Sequence, residues 1–399
     1  GRAALIRPST KKQLMKAPLG LMNLLHNGRR TAVAIAGVTF AVALMFLQLG
    51  FLQTTNTTAT VVYNGLVFDI CLISADYHFA ADARSVPLPR LYEAASVAAV
   101  EEVQPLNIGI NQWRNPNNGE ASPVMVLGID PYSEIFSKLA PPEELNLLSA
   151  PHHILIDTEM RPELGPATGD RFGPSDVGRE IELGVREMRI VGTFRMGSGF
   201  AAAGAVLTSS AGYRHLFPAT NDDDVSLGLL RLKRGADVRK VARELRSLIS
   251  GGDVLVLTRD EILERERDRW VDQTSYGVIF RLGCAIAFLV GMGIVYQILS
   301  SDVANHRAEY ATLRAIGYRN SFVNQVVLQQ AVILAVLGMI PGIGIALVLY
   351  WFTAWLARTP ISLTAANLLL VSALTIAMCL LSGLIALRKV RQADPAELF

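Results

Sequence analysis

The sequence predicts an integral membrane protein of four transmembrane helices carrying one large α+β extracytoplasmic domain. Three observations predict it. Hydrophobic residues make up 51% of the 399 positions and charged residues 18%, below the roughly 25% charged content of soluble domains. The apolar excess is gathered in four long blocks rather than spread along the chain. Between the first and second blocks lies a stretch, residues 53–274, of ordinary soluble character.

Residues 1–30 hold the cations Arg2, Arg7, Lys11, Lys12, Lys16, Arg29 and Arg30 and no acid. Leucines and methionines between Leu14 and Leu25 make this a basic amphipathic segment suited to a membrane surface, interrupted by Pro18 and Gly20. Residues 31–52 are free of charge. As a helix they extend roughly 33 Å, enough to cross a bilayer core. The apolar run is too long for a signal-peptide core and no clean cleavage site follows, so it reads as a signal anchor. The Thr/Asn-rich residues 53–60 are expected to leave the membrane.

In residues 53–274, short β-type runs occur at 66–73, 124–129, 154–156, 180–194, 205–207, 227–232 and 254–257, punctuated by Gly, Pro, Asn and Asp. Helical patterns cover 90–97 and 238–250. In the second, Val238, Val241, Leu245 and Leu248 form one apolar stripe. Helices framing a β-rich middle predict an α+β domain of two lobes. Thr258 and Glu261 form a capping box, followed by the pairs Glu261–Arg265, Glu264–Arg267 and Glu266–Arg269. So polar a helix is expected not to bury itself, and residues 258–275 read as a stalk continuous with the second span.

The second span is 276–300, interrupted by Arg281, which reads as snorkelling to the outer interface, with a buried functional charge as the alternative. A polar segment, 301–321, separates it from a long third block, 322–356, containing Pro341 and Gly342. A short loop, 357–365, leads to the fourth span, 366–387, and a tail, 388–399. Lys and Arg flank residues 1–30, 301–321 and 388–391. Four spans put all three on one side, so the third block is a single crossing kinked at Pro341, with both termini cytoplasmic.

Catalytic chemistry is sparse. No GxxxxGK[ST] sequence occurs, so ATP phosphates find no cradle of that kind. Gly197–Gly204 is glycine-rich without the dinucleotide fingerprint and reads as a hairpin or flexible loop. Ser250-Gly251-Gly252-Asp253 resembles an ATPase signature loop only faintly and falls in the outer domain. His152 and His153, with Asp157 nearby, are expected to point to opposite faces of a strand rather than to share a metal. Asp222-Asp223-Asp224 reads as a solvated turn and lacks EF-hand spacing. Cys71, Cys284 and Cys379 are scattered and offer neither a disulfide framework nor a metal site. A net charge of +2 gives no nucleic-acid footprint.

The segment from Glu309 to Tyr318 carries Glu309, Leu313, Arg314, Ala315 and Gly317 in the order E-x-x-x-L-R-A-x-G, and the tail carries Arg388, Arg391, Asp394, Pro395 and Glu397. Both resemble signatures of FtsX/MacB-type permeases. The runs 43–51, 161–166, 253–258, 295–299 and 331–338 with 340–342 resemble the DevC-type permeases of cyanobacterial glycolipid exporters. The resemblance implies a type VII ABC transporter subunit that works as a homodimer, with Mg-ATP on a separate DevA-like ATPase subunit and no cofactor on this chain. It implies a DevB-like periplasmic adaptor, a TolC-like outer-membrane channel, and a lipid or glycolipid substrate. The outer domain would correspond to the family's Porter and Sabre lobes. Glu309, Leu313, Arg314, Ala315, Gly317 and Tyr318 would lie on a coupling helix seated in the ATPase, in the bacterial inner membrane. The alternative is an FtsX-like signalling protein that regulates periplasmic partners without transport. A membrane enzyme with an outer catalytic domain has little support.

Overall fold

The structure is a computed structural model that describes residues 28–197, 202–273, 275–306, 316, 320–357 and 361–392. It divides into two compact units, one of residues 1–50, 280–355 and 361–399, the other of residues 51–279 with 356–360. The first helix, α1 (Gly28–Ala59), continues past the predicted boundary at residue 52. In its polar end Thr55, Asn56 and Thr57 turn their side chains back to the carbonyls of Phe51, Leu52 and Gln53, at 2.9, 3.1 and 3.1 Å, so their polar groups are satisfied within the helix itself.

The outer unit is organised around a nine-stranded sheet. Its chain order begins with β1 (Ile70–Ser74), the two-residue β2 (Val86–Pro87), α2 (Leu88–Ala95) and β3 (Val100–Arg114), followed by β4 (Ala121–Ile129) and β5 (His153–Asp157). Next come β6 (Glu180–Leu183), β7 (Arg186–Phe194), β8 (Ala205–Ser209), α3 (Ser210–Leu216) and the two-residue β9 (Asp224–Val225). The domain closes with β10 (Leu227–Leu232), α4 (Val238–Leu248), β11 (Val254–Thr258) and α5 (Arg259–Arg267). The strand order is β11-β1-β10-β3-β4-β8-β5-β7-β6.

The first four strands of that order, with α2 and α4, form a β-α-β-β-α-β unit of ferredoxin-like order. Its middle connection, from β3 to β10, holds the whole second lobe. Strand β3 belongs to both lobes: residues 100–106 pair with β10, and residues 107–114 pair with β4. At the handover, Ser226 Oγ accepts from the Ile108 N–H at 2.9 Å and donates to the Ile108 carbonyl at 3.3 Å. The sequence reading missed β3 because Gln104, Pro105, Asn107, Gly109 and Asn111 dilute its apolar alternation. The run predicted as one strand over 180–194 is two, because Gly184, at φ +67°, starts the Gly184-Val185 turn of a hairpin that pairs Leu183 with Arg186.

Side chains alternate between faces of this sheet. From β1, Ile70 and Leu72 face a core built with α2 and α4, while Cys71 and Ile73 face a core on the other side. That second core continues under the other lobe through Leu127 and Ile129 of β4, Leu155 of β5 and Leu207 of β8. Residues of opposite parity, Val124, Val126, Ile154 and Ile156, pack with Trp113 into a third core. One apolar layer therefore underlies both lobes.

In the first unit, α1 packs with α6 (Ser275–Asn305), α7 (Asn320–Ala357) and α8 (Ala365–Gln392). All four are long and apolar enough to cross a membrane. Ala34, Val38, Ala41, Val42, Met45 and Phe46 form the buried stripe of α1. The third block is one unbroken helix with Pro341 inside it. Gly338 and Gly342 stand one turn apart on α7 and let it close on α1. A Cβ at Gly338 would meet Val38 Cβ at 2.5 Å, and one at Gly342 would meet Val42 Cγ1 at 2.6 Å. This is a small-residue helix interface of the GxxxG kind. Thr39 Oγ1 donates to the Gly338 carbonyl at 3.1 Å, next to the Leu337 carbonyl that Pro341 deprives of a helical donor.

This packing generates a prediction with an internal control. Gly338→Leu and Gly342→Leu should each destabilise the full chain by about 1–3 kcal/mol through overpacking. Gly344→Leu, on the same helix with nothing within 4 Å of its added Cβ, should be near neutral. Thermal unfolding of the three variants in detergent checks it; equal midpoints would sink the close-packing account.

Candidate functional site

The residues singled out for coupling, Glu309, Leu313, Arg314, Ala315, Gly317 and Tyr318, lie outside the described residues. So do Asp394, Pro395 and Glu397 of the tail, the basic segment before Gly28, and residues 198–201 of the glycine-rich loop. Arg388 stands exposed on α8. The last turns of α6 are held to α7. Gln330 Nε2 donates to Asp302 Oδ2 at 2.9 Å, and His306 Nδ1 lies 2.9 Å from the Asp302 carbonyl. Gln330 is fully buried, so this polar pair fixes where the two helices meet.

A second set of contacts lies where the chain enters and leaves the outer unit. Entry is the helical turn Val61–Asn64 that follows α1; exit is α5, followed by a π-helical turn, Asp268–Asp272. Thr258 caps α5, accepting from the Glu261 N–H, while Glu261 Oε2 accepts from the Thr258 N–H at 2.7 Å. The capping box is as predicted, but the stalk is not. Ile262, Leu263 and Glu266 are buried, and Ile262 and Leu263 join the core that underlies the sheet. An i, i+1, i+4 set, one of whose members is a glutamate, makes too narrow an apolar stripe to announce itself in TRDEILERERDRW.

Entry and exit are joined by a buried polar cluster. Tyr77, beyond β1, donates its hydroxyl to Glu266 Oε1, and the Tyr63 and Tyr77 hydroxyls hydrogen-bond to each other. Arg259 Nη2 donates to the Tyr63 carbonyl and Arg265 Nη2 to the Tyr77 carbonyl, both at 3.2 Å. Their guanidinium carbons stand over the Phe68 and Tyr77 rings at 5.6 and 5.8 Å. Glu266 is 1% exposed. Burial pushes its carboxyl up to about 7, against the downward pull of the Tyr77 hydrogen bond and the Arg265 charge. Burial likewise raises both tyrosines. The sequence reading assigned Glu266 only to a surface pair with Arg269; its partner Tyr77 lies 189 residues away, beyond any local pattern.

Other sequence candidates resolve into structural roles. His152 precedes β5, so strand alternation does not separate it from His153 as expected; the two rings meet edge to face at 4.7 Å. His153 Nδ1 lies 2.8 Å from the Leu147 carbonyl. Asp157 is buried and accepts from the N–H groups of Glu159, Met196 and Gly197 at 3.0, 3.1 and 2.8 Å. Asp253 pairs with Arg90 at 3.0 Å, which holds its carboxyl below the usual range. Among the described residues no cluster of His, Cys, Asp and Glu has the form of a metal site.

The buried carboxyl gives a signed pH dependence. Its folded pKa, about 7, lies above its unfolded value near 4.3. The folded state therefore holds the extra proton, and stability declines as pH rises from about 4.3 through about 7, then levels off. Glu266→Gln should remove this decline and exceed the native chain by up to about 3 kcal/mol at pH 8. Unfolding of both chains between pH 5 and 8 checks it; parallel profiles would reject the assignment.

Residues 31–248 match the MacB-like periplasmic core domain, and residues 282–395 match the FtsX-like permease C-terminal domain. No curated protein matches the chain. Among solved structures it is similar to the periplasmic region of MacB from Actinobacillus actinomycetemcomitans, at 10% identity and a TM-score of 0.37 over 50% of this chain and 94% of that one. It is also similar to the extracellular domain of the noncanonic ABC-type transporter YknZ from Gram-positive bacteria, at 14% identity and a TM-score of 0.34 over 48% and 98%. With more than half of its length matched by the periplasmic core and most of the remainder by the permease domain, the chain belongs to the MacB/FtsX-like family of type VII ABC transporter permeases.

Proposed function

We propose that this chain is the permease subunit of a tripartite ABC exporter of the DevC kind. It transmits the motion of a separate ATPase to its periplasmic domain and so drives a lipid or glycolipid into an adaptor and a TolC-like duct. The observation that carries the reading is the order of the two matched domains. The match to the periplasmic core begins within α1 and the match to the permease domain within α6, so the outer unit is tethered by both its ends to membrane-crossing helices. An even number of spans keeps both termini on one side. The cations of residues 1–30, 301–321 and 388–391 make that side the cytoplasm of a bacterial inner membrane.

In this reading the chain acts as a homodimer, binds no cofactor and performs no catalysis. Mg-ATP is bound and hydrolysed on the ATPase subunit, which contacts Glu309, Leu313, Arg314, Ala315, Gly317 and Tyr318. Tilting of α1 and α6 then reaches the outer unit through its two covalent ends, which the Tyr63–Tyr77–Glu266 cluster ties to each other. Differential binding of the ATPase in its nucleotide states supplies the bias that any such transmission needs.

Charge reversal at the segment tests it. Glu309→Arg and Arg314→Glu should each lower substrate-stimulated ATPase activity of the reconstituted complex about tenfold or more, while the complex still inserts and assembles. Unimpaired export in both variants would refute the coupling assignment. ATP-dependent movement of the outer unit with no cargo transferred would instead place the chain with FtsX-like signalling proteins.

A further inference from the structure

A groove of about 690 Å³ runs between the first half of α1 and the last turns of α6. The two helices are antiparallel, and the close approach of Gly37, whose added Cβ would meet Ile294 at 2.5 Å, fixes their register. Along the groove the chemistry changes in one direction. Arg29 and Arg30 stand at one end, with Ser301 opposite Arg30 and Gln297 about one turn further in; Val33, Phe40 and Ile298 line the remainder. Both arginines are exposed, as are Val33 at 62% and Phe40 at 55%. From Arg30 to Phe40 a helix rises about 15 Å, half the roughly 30 Å hydrocarbon core of a bilayer.

We infer that this groove binds one anionic phospholipid of the leaflet that meets the N-terminal end of α1. Two guanidinium groups, with an amide and a hydroxyl, suit a phosphate headgroup, and a one-leaflet apolar trough suits an acyl chain. Basic pockets between transmembrane helices take anionic headgroups in this way. Charge decides against a second copy of the chain as the occupant. A copy meeting this face about a two-fold axis along the membrane normal would set its own Arg29 and Arg30 at the same depth, and such like-charge contact is costly. The site is independent of the exported cargo and of the ATPase.

Native mass spectrometry of the detergent-solubilised full chain, mixed with equal amounts of phosphatidylglycerol and phosphatidylcholine, tests the site. The native chain should retain phosphatidylglycerol preferentially, by about fivefold per arginine. Arg29→Gln/Arg30→Gln should bring the ratio close to one. Ala36→Trp, which fills the trough from an exposed position without touching charge, should lower the adduct count for both lipids. No preference in the native chain, or a preference that survives in the double variant, would overturn the proposal. So would efficient disulfide cross-linking of Phe40→Cys between two copies in phosphatidylglycerol-containing membranes.

Discussion

The outer unit depends on one shared apolar layer. Strand β3 is long enough to pair with β10 in its first half and β4 in its second, so the two lobes are halves of one sheet. Beneath that sheet the same core gathers Leu106, Leu127, Leu155 and Leu229. Close packing makes such a layer stiff. The turn that follows α1 contributes Val62 and Tyr63 to it, and α5 contributes Ile262 and Leu263. The points of entry and exit are thus set into the layer that supports both lobes. A displacement at either end meets the core of the whole unit rather than one loop.

The membrane unit solves a different problem. Lipid chains are as apolar as leucine, so burial gives helices little reason to associate, and close backbone approach takes its place. Gly338 and Gly342 against Val38 and Val42, Gly37 against Ile294, and Gly291 against Ala41 and Met378 all show it. Polar contacts supplement the packing where they can be fully enclosed: Thr39 to Gly338, Ser382 to the Met292 carbonyl at 2.8 Å, and Tyr350 to the Phe46 carbonyl. Glycine, which would loosen a soluble helix, is here what brings α1 into contact with α6 and α7.

What was legible in the sequence follows from the length scale of each signal. The four spans and α4 announce themselves because their patterns persist over many residues and rest on composition or a single period. The capping box at Thr258 was legible for a different reason: it is closed within four residues. Strand β3 was hidden because Gln104, Pro105, Asn107, Gly109 and Asn111 break up the alternation of its buried apolar residues. GMIPG drew notice for Pro341, although the two glycines flanking it make the contact. The burial of Glu266 had no local signal. Glu264 and Glu266 read alike in ERER, and only the fold places Tyr77 against one of them.

That buried carboxylate bears on why the junction is polar at all. A well-packed apolar cluster at Tyr63, Tyr77 and Glu266 would be as stable or more so, since desolvation opposes a buried acid. Apolar contacts, however, tolerate sliding, whereas hydrogen bonds from one hydroxyl to the next hold in a single arrangement. Here they fix a residue that follows α1, a residue beyond β1 and a residue two positions before the π-helical turn. The π-helical turn that follows is packed back against the same region, with Val271 buried and the Trp270 ring edge to face with Phe79 at 5.4 Å. The cluster therefore ties the turn after α1 to α5 through directional contacts that an apolar patch of the same size would leave free to slide.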